Sequence, residues 1–311
     1  MEPYQYILII LASLIVIFFL ISFVSYKITF YSKPRKKDYL EHIEFPPGKA
    51  FEPYYKSMSM WIKELRSIPY EKVEIRSYDN LKLSGKLYLN DPNGPIDILF
   101  HGYRGVAERD FCGGAKESFK LNHNILLIDQ RGCGESDGNT ITFGIKERYD
   151  CISWINYVIN RFGNDCVIYL VGISMGSTTV LMATELGLPE NVKSITADCG
   201  FSSPKGIILH TIKQMHLPSF MYFFVKMGGL IFGRFNIDES STIKALKNCT
   251  TPILVVHGKN DSIVPCYMSD EIYNAIPSKK ELLQIENCDH AMSFLVDYKA
   301  YSDKQNRFRN E

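Results

Sequence analysis

A serine flanked by glycines lies where a short apolar run meets a longer stretch of helical character. Ser174 stands between Gly172 and Gly176 in VGISMGST, which begins at Val171. A turn from a strand into a helix tolerates only small neighbours, and it points the hydroxyl away from the sheet, near the free N–H groups of the helix. The spacing therefore indicates a nucleophilic serine at a strand-to-helix corner.

Such a serine needs a base to remove its proton and a third group to orient that base. His290, in ENCDHAMS, follows the last apolar run, and Asp261, in HGKNDSIVP, follows the run before it. The chain order Ser174, Asp261, His290 is the one expected when three such loops share one edge of a sheet. Asp198 and Asp289 are alternatives to Asp261, although Asp289 adjoins the histidine and is poorly placed to orient it. Asp261 and His290 could also be mere turn or capping residues.

The negative oxygen formed by such an attack needs hydrogen-bond donors already in place, each worth roughly 3 kcal/mol of barrier. One candidate is the backbone N–H of Met175, directly after the serine. The other is the N–H of Tyr103, in the loop LFHGYRG after the first parallel strand. We interpret His101 in that loop and His257 in VVHGKND as structural turn residues. The other histidines have no supporting pattern: His42, His123, His210 and His216.

The elements that must position these residues alternate along the chain. Six short apolar runs predict buried strands, and helical stretches such as Lys146–Phe162 and Ser174–Leu186 separate most of them. This alternation is typical of an α/β fold with a mostly parallel sheet and helices on both faces. KVEIRSYDNLKLSGKLYLN, centred on Asp79 and Asn80, predicts an antiparallel hairpin at its start. The six runs are Ile96–Phe100, Ile125–Ile128, Val167–Val171, Ile195–Ala197, Ile253–Val256 and Glu281–Ile285.

A long apolar segment interrupts this alternation between Asp198 and Pro252. It includes LPSFMYFFVKMGGLIFGRF, which prolines and glycines break up, so it is not one membrane span. We predict a helical cap, at about residues 200–250, over the carboxyl edge of the sheet, where open α/β sheets bind ligands. A helical insertion without substrate contact is the alternative.

The stretch from Ile7 to Tyr26 contains no charge and no proline. A helix of that length rises about 30 Å, the thickness of a bilayer's hydrocarbon core. No basic residue precedes it and no clear cleavage site follows it, which favours a retained anchor over a cleaved secretory signal. Basic residues on its carboxyl side predict that the rest of the chain faces the cytoplasm. They are Lys27, Lys33, Arg35, Lys36 and Lys37.

The chain thus divides into an anchor with its basic flank (residues 1–37), a connector (38–69) and a globular domain (70–311). In the connector, PYYKSMSMWIKELRS predicts an amphipathic helix with Met60, Trp61 and Leu65 on one side. The net charge of +1 offers no basic surface for nucleic acid. The 8 cysteines have neither a CxxC pair nor metal-ligand spacing, so they indicate no metal site.

The motifs HGYRG, DQRGCGESDG, GISMGS, HGKNDSIVP and CDHAMS together give the chain, from about Val73 onward, a resemblance to α/β hydrolases. It is most similar to membrane-anchored, Bem46-like serine hydrolases, with monoacylglycerol lipase and prolyl iminopeptidase more distant. The resemblance implies a catalytic triad and an oxyanion hole, and it makes DQRGCGESDG an architectural turn. The triad is Ser174, Asp261 and His290, the hole Tyr103 and Met175, and the turn Asp129, Arg131, Gly132 and Ser136. Tyr103 departs from the pattern, because that position is often small or polar, and its bulk bears on pocket shape.

These observations lead us to expect a cytoplasm-facing, membrane-tethered serine hydrolase that cleaves lipophilic acyl esters without a cofactor. An amidase or aminopeptidase of the prolyl iminopeptidase type is the first alternative. A non-catalytic interaction module on the membrane is the second, and a haloperoxidase-type reaction is the third. Ser174 argues against a haloalkane dehalogenase, which uses a carboxylate nucleophile.

Overall fold

The computed structural model describes residues 2–33, 43–46 and 48–310. Several residues used in the sequence analysis lie outside this range: Arg35, Lys36, Lys37, His42 and the first part of the connector.

One eight-stranded sheet forms the centre of the protein, in the order β1-β2-β4-β3-β5-β6-β7-β8. β1 and β2 pair antiparallel, β2 and β4 also pair antiparallel, and every other neighbouring pair is parallel. The predicted mostly parallel sheet with an antiparallel start is therefore confirmed. The strands are β1 (Glu71–Arg76), β2 (Lys82–Tyr88), β3 (Ile96–Phe100), β4 (Asn124–Ile128), β5 (Ile168–Ile173), β6 (Val192–Asp198), β7 (Ile253–Gly258) and β8 (Lys280–Ile285).

Helices surround the sheet and extend from both ends of the chain. They are α1 (Pro3–Thr29), α2 (Tyr55–Ser67), α3 (Ala107–Asp110), α4 (Cys112–Lys120), α5 (Glu147–Phe162), α6 (Met175–Ala183), α7 (Pro204–Gln214), α8 (Met221–Gly228), α9 (Thr242–Ala245), α10 (Tyr267–Ala275), α11 (Ser293–Val296) and α12 (Tyr298–Asn310). Short 3₁₀ turns occupy Lys49–Tyr54, Thr184–Leu186 and Leu246–Asn248, and a π turn occupies Gly229–Gly233.

Helices cover both faces of the sheet, which explains why its central strands lack polar alternation. α5, α6 and α10 pack on one face, where Trp154 is fully buried. α3 and α4 pack on the other face around Phe111 and Leu99, and α12 joins them there with Tyr301 against β7. The two faces of the sheet therefore pack against separate hydrophobic clusters.

Arg131 ties the tip of the β1–β2 hairpin to α5. Its guanidinium donates to both carboxylate oxygens of Asp150, at 2.6 and 2.7 Å, and to those of Asp79, at 2.9 and 3.1 Å. Ser136, in the turn DQRGCGESDG that also contains Arg131, donates to Asp129 O and accepts from Ser84 N. These contacts hold elements together and do not involve Ser174, as expected for an architectural turn.

The predicted amphipathic helix of the connector forms as α2, but its buried face differs from the prediction. Met58, Ile62 and Leu65 are buried, whereas Met60 is 50% exposed and Trp61 is half-buried. Residues 58, 62 and 65 follow the helical i, i+4, i+7 spacing, and residue 60 lies on the opposite side. Including Met60 was wrong, because the sequence does not reveal which side of α2 faces α4.

α1 is long and apolar enough to cross a membrane, and its carboxyl end is part of the folded domain. Phe30 is fully buried, and Ile141 N donates to Phe30 O. Tyr31 forms a β-bridge with Thr140, whose hydroxyl lies 2.7 Å from Tyr26 Oη. The predicted anchor therefore joins the domain through a packed contact.

The segment between β6 and β7 folds into α7, α8, the π turn and α9. Its buried side chains, such as Ile207 and Tyr222, pack with Tyr26 and Phe30 from the end of α1 and with Met175. Gly228 permits α8 to approach α1 closely, since a Cβ there would overlap Ser22 O. The segment is helical, as predicted.

Replacing Arg131 with methionine is expected to destabilise the fold by about 3–5 kcal/mol, because Asp150 would remain buried and unpaired. Arg161→Met is the matched control, since Arg161 pairs with Glu71 where both side chains are about half exposed, a pair worth at most about 1 kcal/mol. Unfolding of the two variants in detergent measures the difference. Equal losses in both would contradict the structural role of Arg131.

Candidate active site

Ser174 lies at the corner between β5 and α6 in a strained backbone conformation, with φ 55° and ψ −118°. Its N–H donates to Asp198 O at 2.8 Å. Gly172 and Gly176 must lack side chains, because a Cβ on Gly172 would overlap the Gly176 backbone and one on Gly176 would overlap Phe100 O. The predicted strand-to-helix corner is present, and a positive φ on a serine stores strain of the kind found at functional sites.

His290 stands between Ser174 and Asp261. Its Nε2 lies 2.9 Å from Ser174 Oγ, and its Nδ1 lies 2.7 Å from Asp261 Oδ2. An ionised carboxylate can only accept, so Nδ1 carries the proton and Nε2 of the neutral ring is free to accept from the serine hydroxyl. The three side chains thus form one line of hydrogen bonds.

Asp261 is held in place from several sides. Its Oδ1 accepts from the backbone N–H groups of Ile263 and Val264, at 2.9 and 2.7 Å. His257 Nε2 lies 3.2 Å from Oδ2, the same oxygen that His290 contacts. Burial alone would raise the pKa of Asp261, but the hydrogen bonds from His257 and His290 hold that pKa well below its usual range. The carboxylate therefore stays ionised beside His290.

The two alternative acids make other contacts. Asp198 Oδ1 accepts from Ser293 Oγ at 2.9 Å, and burial raises its pKa to about 6. Asp289 Oδ1 accepts from the backbone N–H and the hydroxyl of Ser262, both at 2.8 Å, and from the backbone N–H of His290. Neither carboxylate hydrogen-bonds to the imidazole of His290.

The remaining described histidines lie away from the serine hydroxyl. His101 Nδ1 lies 2.8 Å from Gly102 O, and its Nε2 accepts from Gln130 N at 3.0 Å. Because Gly102 O only accepts, His101 is a neutral residue of the turn, in line with its structural interpretation. His123 bonds to Asp97 at 3.1 Å. His210 lies in α7, and His216 follows α7 in the chain.

Met175 and Tyr103, the two predicted oxyanion donors, lie in segments next to Ser174. Met175 is the first residue of α6, and the first N–H groups of a helix have no partner within it. Tyr103 follows Gly102, where a Cβ, if present, would lie 3.5 Å from Ser174 Cβ, so this loop passes directly beside the serine. That these amides bind an oxyanion stays a prediction.

The loop beside Ser174 also holds the end of α1. Tyr103 Oη donates to Thr29 O at 2.8 Å, and burial raises the pKa of this phenol to about 12, so it remains a donor. Arg104 donates to Ile28 O at 3.0 Å and to Tyr31 O at 2.7 Å. These bonds satisfy carbonyls that a helix end leaves open. The bulky side chain of Tyr103 thus binds the end of α1.

A cavity of about 430 Å³ reaches Ser174 and His290. It lies on the α4 side of the sheet, where its walls include Leu99 and Val171 and also the charged pair Asp97 and Arg309. Its walls are mostly apolar, and they come from elements that are distant in sequence. The connector contributes Phe51 and Met58, α4 and the residue before it contribute Phe111 and Gly114, and the chain's end contributes Phe294 and Tyr301.

The predicted cap does not line this cavity. Among the described residues, none between 199 and 252 belongs to its walls. Sequence reasoning therefore missed the connector and the carboxyl-terminal helices as pocket walls. It also missed His257 as a partner of Asp261, although their i, i+4 spacing was a possible signal.

Cys199, Asp261 and His290 offer a thiol, a carboxylate and an imidazole within 4.8 Å of one another. Burial raises the pKa of the Cys199 thiol well above its ordinary value, whereas a metal binds the thiolate. Asp261 and His290 already hydrogen-bond to each other. A protonated thiol and an already hydrogen-bonded carboxylate and imidazole are therefore a poor set of metal ligands.

Comparison with known proteins agrees with the fold. A family profile described as "alpha/beta hydrolase fold" matches residues 98–224. YqkD of Bacillus subtilis (strain 168) is 26% identical over 58% of this chain and 60% of its own length, so the chain matches less than two thirds of that relative. Bem46 of Schizosaccharomyces pombe (strain 972) is 26% identical over 74% of each chain. Esterase Pf2001 of Pyrococcus furiosus superimposes with a TM-score of 0.62 and 21% identity, covering 85% of this chain and 96% of its own, which shows the shared fold alone.

Asp198→Asn is expected to gain stability relative to the unsubstituted protein as the pH rises. A carboxyl whose folded pKa is raised from 3.8 to about 6 stabilises the fold below pH 4 and loses that contribution as pH rises through 6. The difference in unfolding free energy between the two proteins should grow between pH 4 and 7 by about 2 kcal/mol. Unfolding of both proteins across this range measures it. A difference that stays constant with pH would contradict the raised pKa.

Proposed function

This chain has the α/β-hydrolase fold, and we propose that it is a serine hydrolase that cleaves carboxylic esters through an acyl-enzyme. The observation that carries the proposal is the position of His290, with Nε2 at 2.9 Å from Ser174 Oγ and Nδ1 at 2.7 Å from Asp261. A nucleophile, an oriented base and an orienting acid are the three groups that acyl transfer requires.

In the first step, Ser174 Oγ attacks the ester carbonyl carbon while its proton passes to His290 Nε2. The resulting imidazolium is stabilised by Asp261, whose depressed pKa keeps it negative. The carbon–oxygen bond to the alcohol then breaks, and His290 returns the proton to the departing oxygen. Water repeats the sequence on the acyl-enzyme, with His290 as base, and releases the acid and free Ser174.

The negative carbonyl oxygen of each tetrahedral intermediate is bound by the N–H groups of Met175 and Tyr103. Each such donor is worth roughly 3 kcal/mol of barrier. The contacts of the Tyr103 and Arg104 side chains with Thr29, Ile28 and Tyr31 support a fixed loop, because they hold Tyr103 and the residue after it against the end of α1.

The acyl group occupies the cavity between the sheet and α4. Its walls include Leu99, Phe111, Val171 and Phe294, which favour an apolar chain. The expected lipophilic ester is thus supported by this cavity, whereas the cap makes no contribution to its walls.

α1 anchors the protein in a membrane as a single span, with the domain on the cytoplasmic side. Lys27 and Lys33 lie on the domain side of its apolar stretch, with Arg35, Lys36 and Lys37 beyond, and such excess positive charge stays in the cytoplasm. Assays use the full chain, because Phe30 is buried in the domain.

Exchange of the two buried carboxyls for amides separates their roles. Asp261→Asn is expected to lower kcat by about 10⁴-fold, because the amide favours the wrong imidazole tautomer. Asp198→Asn, equally isosteric, should change kcat by less than about tenfold, since Asp198 bonds to Ser293. Hydrolysis of p-nitrophenyl esters measures kcat for both variants, and a fluorophosphonate probe measures the reactivity of their Ser174. Ser174→Ala is the reference that should not be labelled. Labelling that persists in Ser174→Ala, or a larger loss in Asp198→Asn, would refute these assignments.

Filling the cavity should shorten the preferred acyl chain. Gly114 lies in α4 on the cavity wall, and a Cβ there would make only ordinary contact, 3.7 Å from Phe111. Gly114→Leu is expected to displace about two methylenes, worth ~0.8 kcal/mol each, and so to lower kcat/KM for long esters about tenfold.

In the same variant, kcat/KM for the acetyl ester is the internal control and should stay within about twofold. Equal losses for short and long esters would place the acyl chain elsewhere. If the unsubstituted protein cleaved an aminoacyl anilide and hydrolysed no ester, it would be an aminopeptidase and not an esterase.

A further inference from the structure

Exposed apolar side chains cluster where α7 connects to α8. We call Met215, Leu217, Phe220 and Phe223 the α7–α8 surface. Phe220 is 64% exposed and Phe223 is 52% exposed, although both are large aromatic residues. A group of apolar side chains of this size marks a surface that contacts something other than water.

α8 packs beside α1, and the two helices run parallel. The rings of Phe223 and Phe224 each lie 6.0 Å from the ring of Phe18. Further along both helices, Gly228 lies against Ser22 and Tyr26. The α7–α8 surface therefore adjoins the part of α1 that precedes Ser22.

Protein covers only the last part of α1. Ser22, Ser25 and Tyr26 are buried, whereas the residues from Pro3 to Ile21 are not. This uncovered stretch measures about 28 Å, close to the hydrocarbon thickness of a bilayer. Phe18 lies about 5 Å inside it, at 1.5 Å per residue. Side chains that contact Phe18 thus lie at a depth where α1 is surrounded by lipid.

The position of α1 relative to the domain is fixed by contacts on several sides. Phe30 is fully buried in the domain, and Tyr31 pairs with Thr140. Tyr103 and Arg104 bind the carbonyls at the end of the helix. α1 therefore cannot tilt away from α8 without breaking these contacts, and the depth of one determines the depth of the other.

We propose that the α7–α8 surface is immersed in the membrane leaflet next to the domain, at the depth of about 5–10 Å that interfacial helices reach. The proposal rests on the membrane span assigned to α1 above. Exposed polar residues between the apolar ones, Lys213 and His216, fit the headgroup layer, where long polar side chains extend toward water. The protein thus contacts the membrane through the span and through the domain itself.

This immersion brings the cavity to the membrane surface. Gln214, at the end of α7, donates to Ser262 O at 2.9 Å. Ile263, which follows Ser262 in the chain, is 53% exposed and lines the cavity that reaches Ser174. An ester with its acyl chain in the leaflet can therefore enter beside Ile263 without passing through bulk water.

Quenching of tryptophan by brominated lipids tests the proposal without any assay of activity. The full chain carrying Phe220→Trp is reconstituted into phosphatidylcholine vesicles brominated near the glycerol end of the acyl chains. Immersion predicts about a twofold loss of the added fluorescence. The unsubstituted protein, with Trp61 and Trp154 inside the domain, supplies the background, and Phe223→Trp is the second variant.

Two further variants make the outcomes distinct. Leu89→Trp is the matched control, because Leu89 is 51% exposed and follows Tyr88, which pairs with Ile125 at the sheet edge opposite Ser174. Val16→Trp reports on α1 itself. Quenching at 16 but at neither 220 nor 223 would overturn the immersion and leave the span intact, the surface then being covered by a second copy or by solvent. Quenching at none of the three would overturn the span as well.

Discussion

The geometry of this protein depends on one line of hydrogen bonds, from Ser174 through His290 to Asp261. Hydrogen bonds of 2.9 and 2.7 Å tolerate displacements of only about half an ångström, yet the three residues come from loops after β5, β7 and β8. The parallel sheet brings them together, because its carboxyl ends share one edge. At that edge the backbone of Ser174 adopts a positive φ, and the fold must supply the energy for this strain. Gly176 packs against Phe100 O so closely that no side chain fits there.

The apolar helix α1 is held by the loop that passes beside Ser174. The carbonyls of Ile28 and Thr29 at its end accept from Arg104 and Tyr103, in the loop that passes beside Ser174. A helix end needs such donors, and a loop that must keep an amide in place needs fixed partners. One set of contacts meets both requirements. The proposed membrane span is therefore connected to the site through hydrogen bonds and not only through the chain.

Local patterns in the sequence predict the elements and the three residues of the line. The strand Ile96–Phe100 has the predicted bounds, and the corner at Ser174 needs only its own neighbours to be recognised. Contacts between distant segments are a different matter. The cavity walls combine Phe51, Phe111 and Phe294, which no local periodicity relates. The buried face of α2 likewise depends on a partner helix that the sequence does not name, which is why Met60 was misplaced.

A structure of the full chain after reaction with a fluorophosphonate tests the roles of Ser174 and of the two amides beside it in one measurement. We expect phosphorus bonded to Ser174 Oγ, with the phosphonyl oxygen about 2.7–3.1 Å from the backbone nitrogens of both Tyr103 and Met175. An adduct on another residue would contradict this expectation, and so would an adduct on Ser174 whose oxygen points away from these two amides.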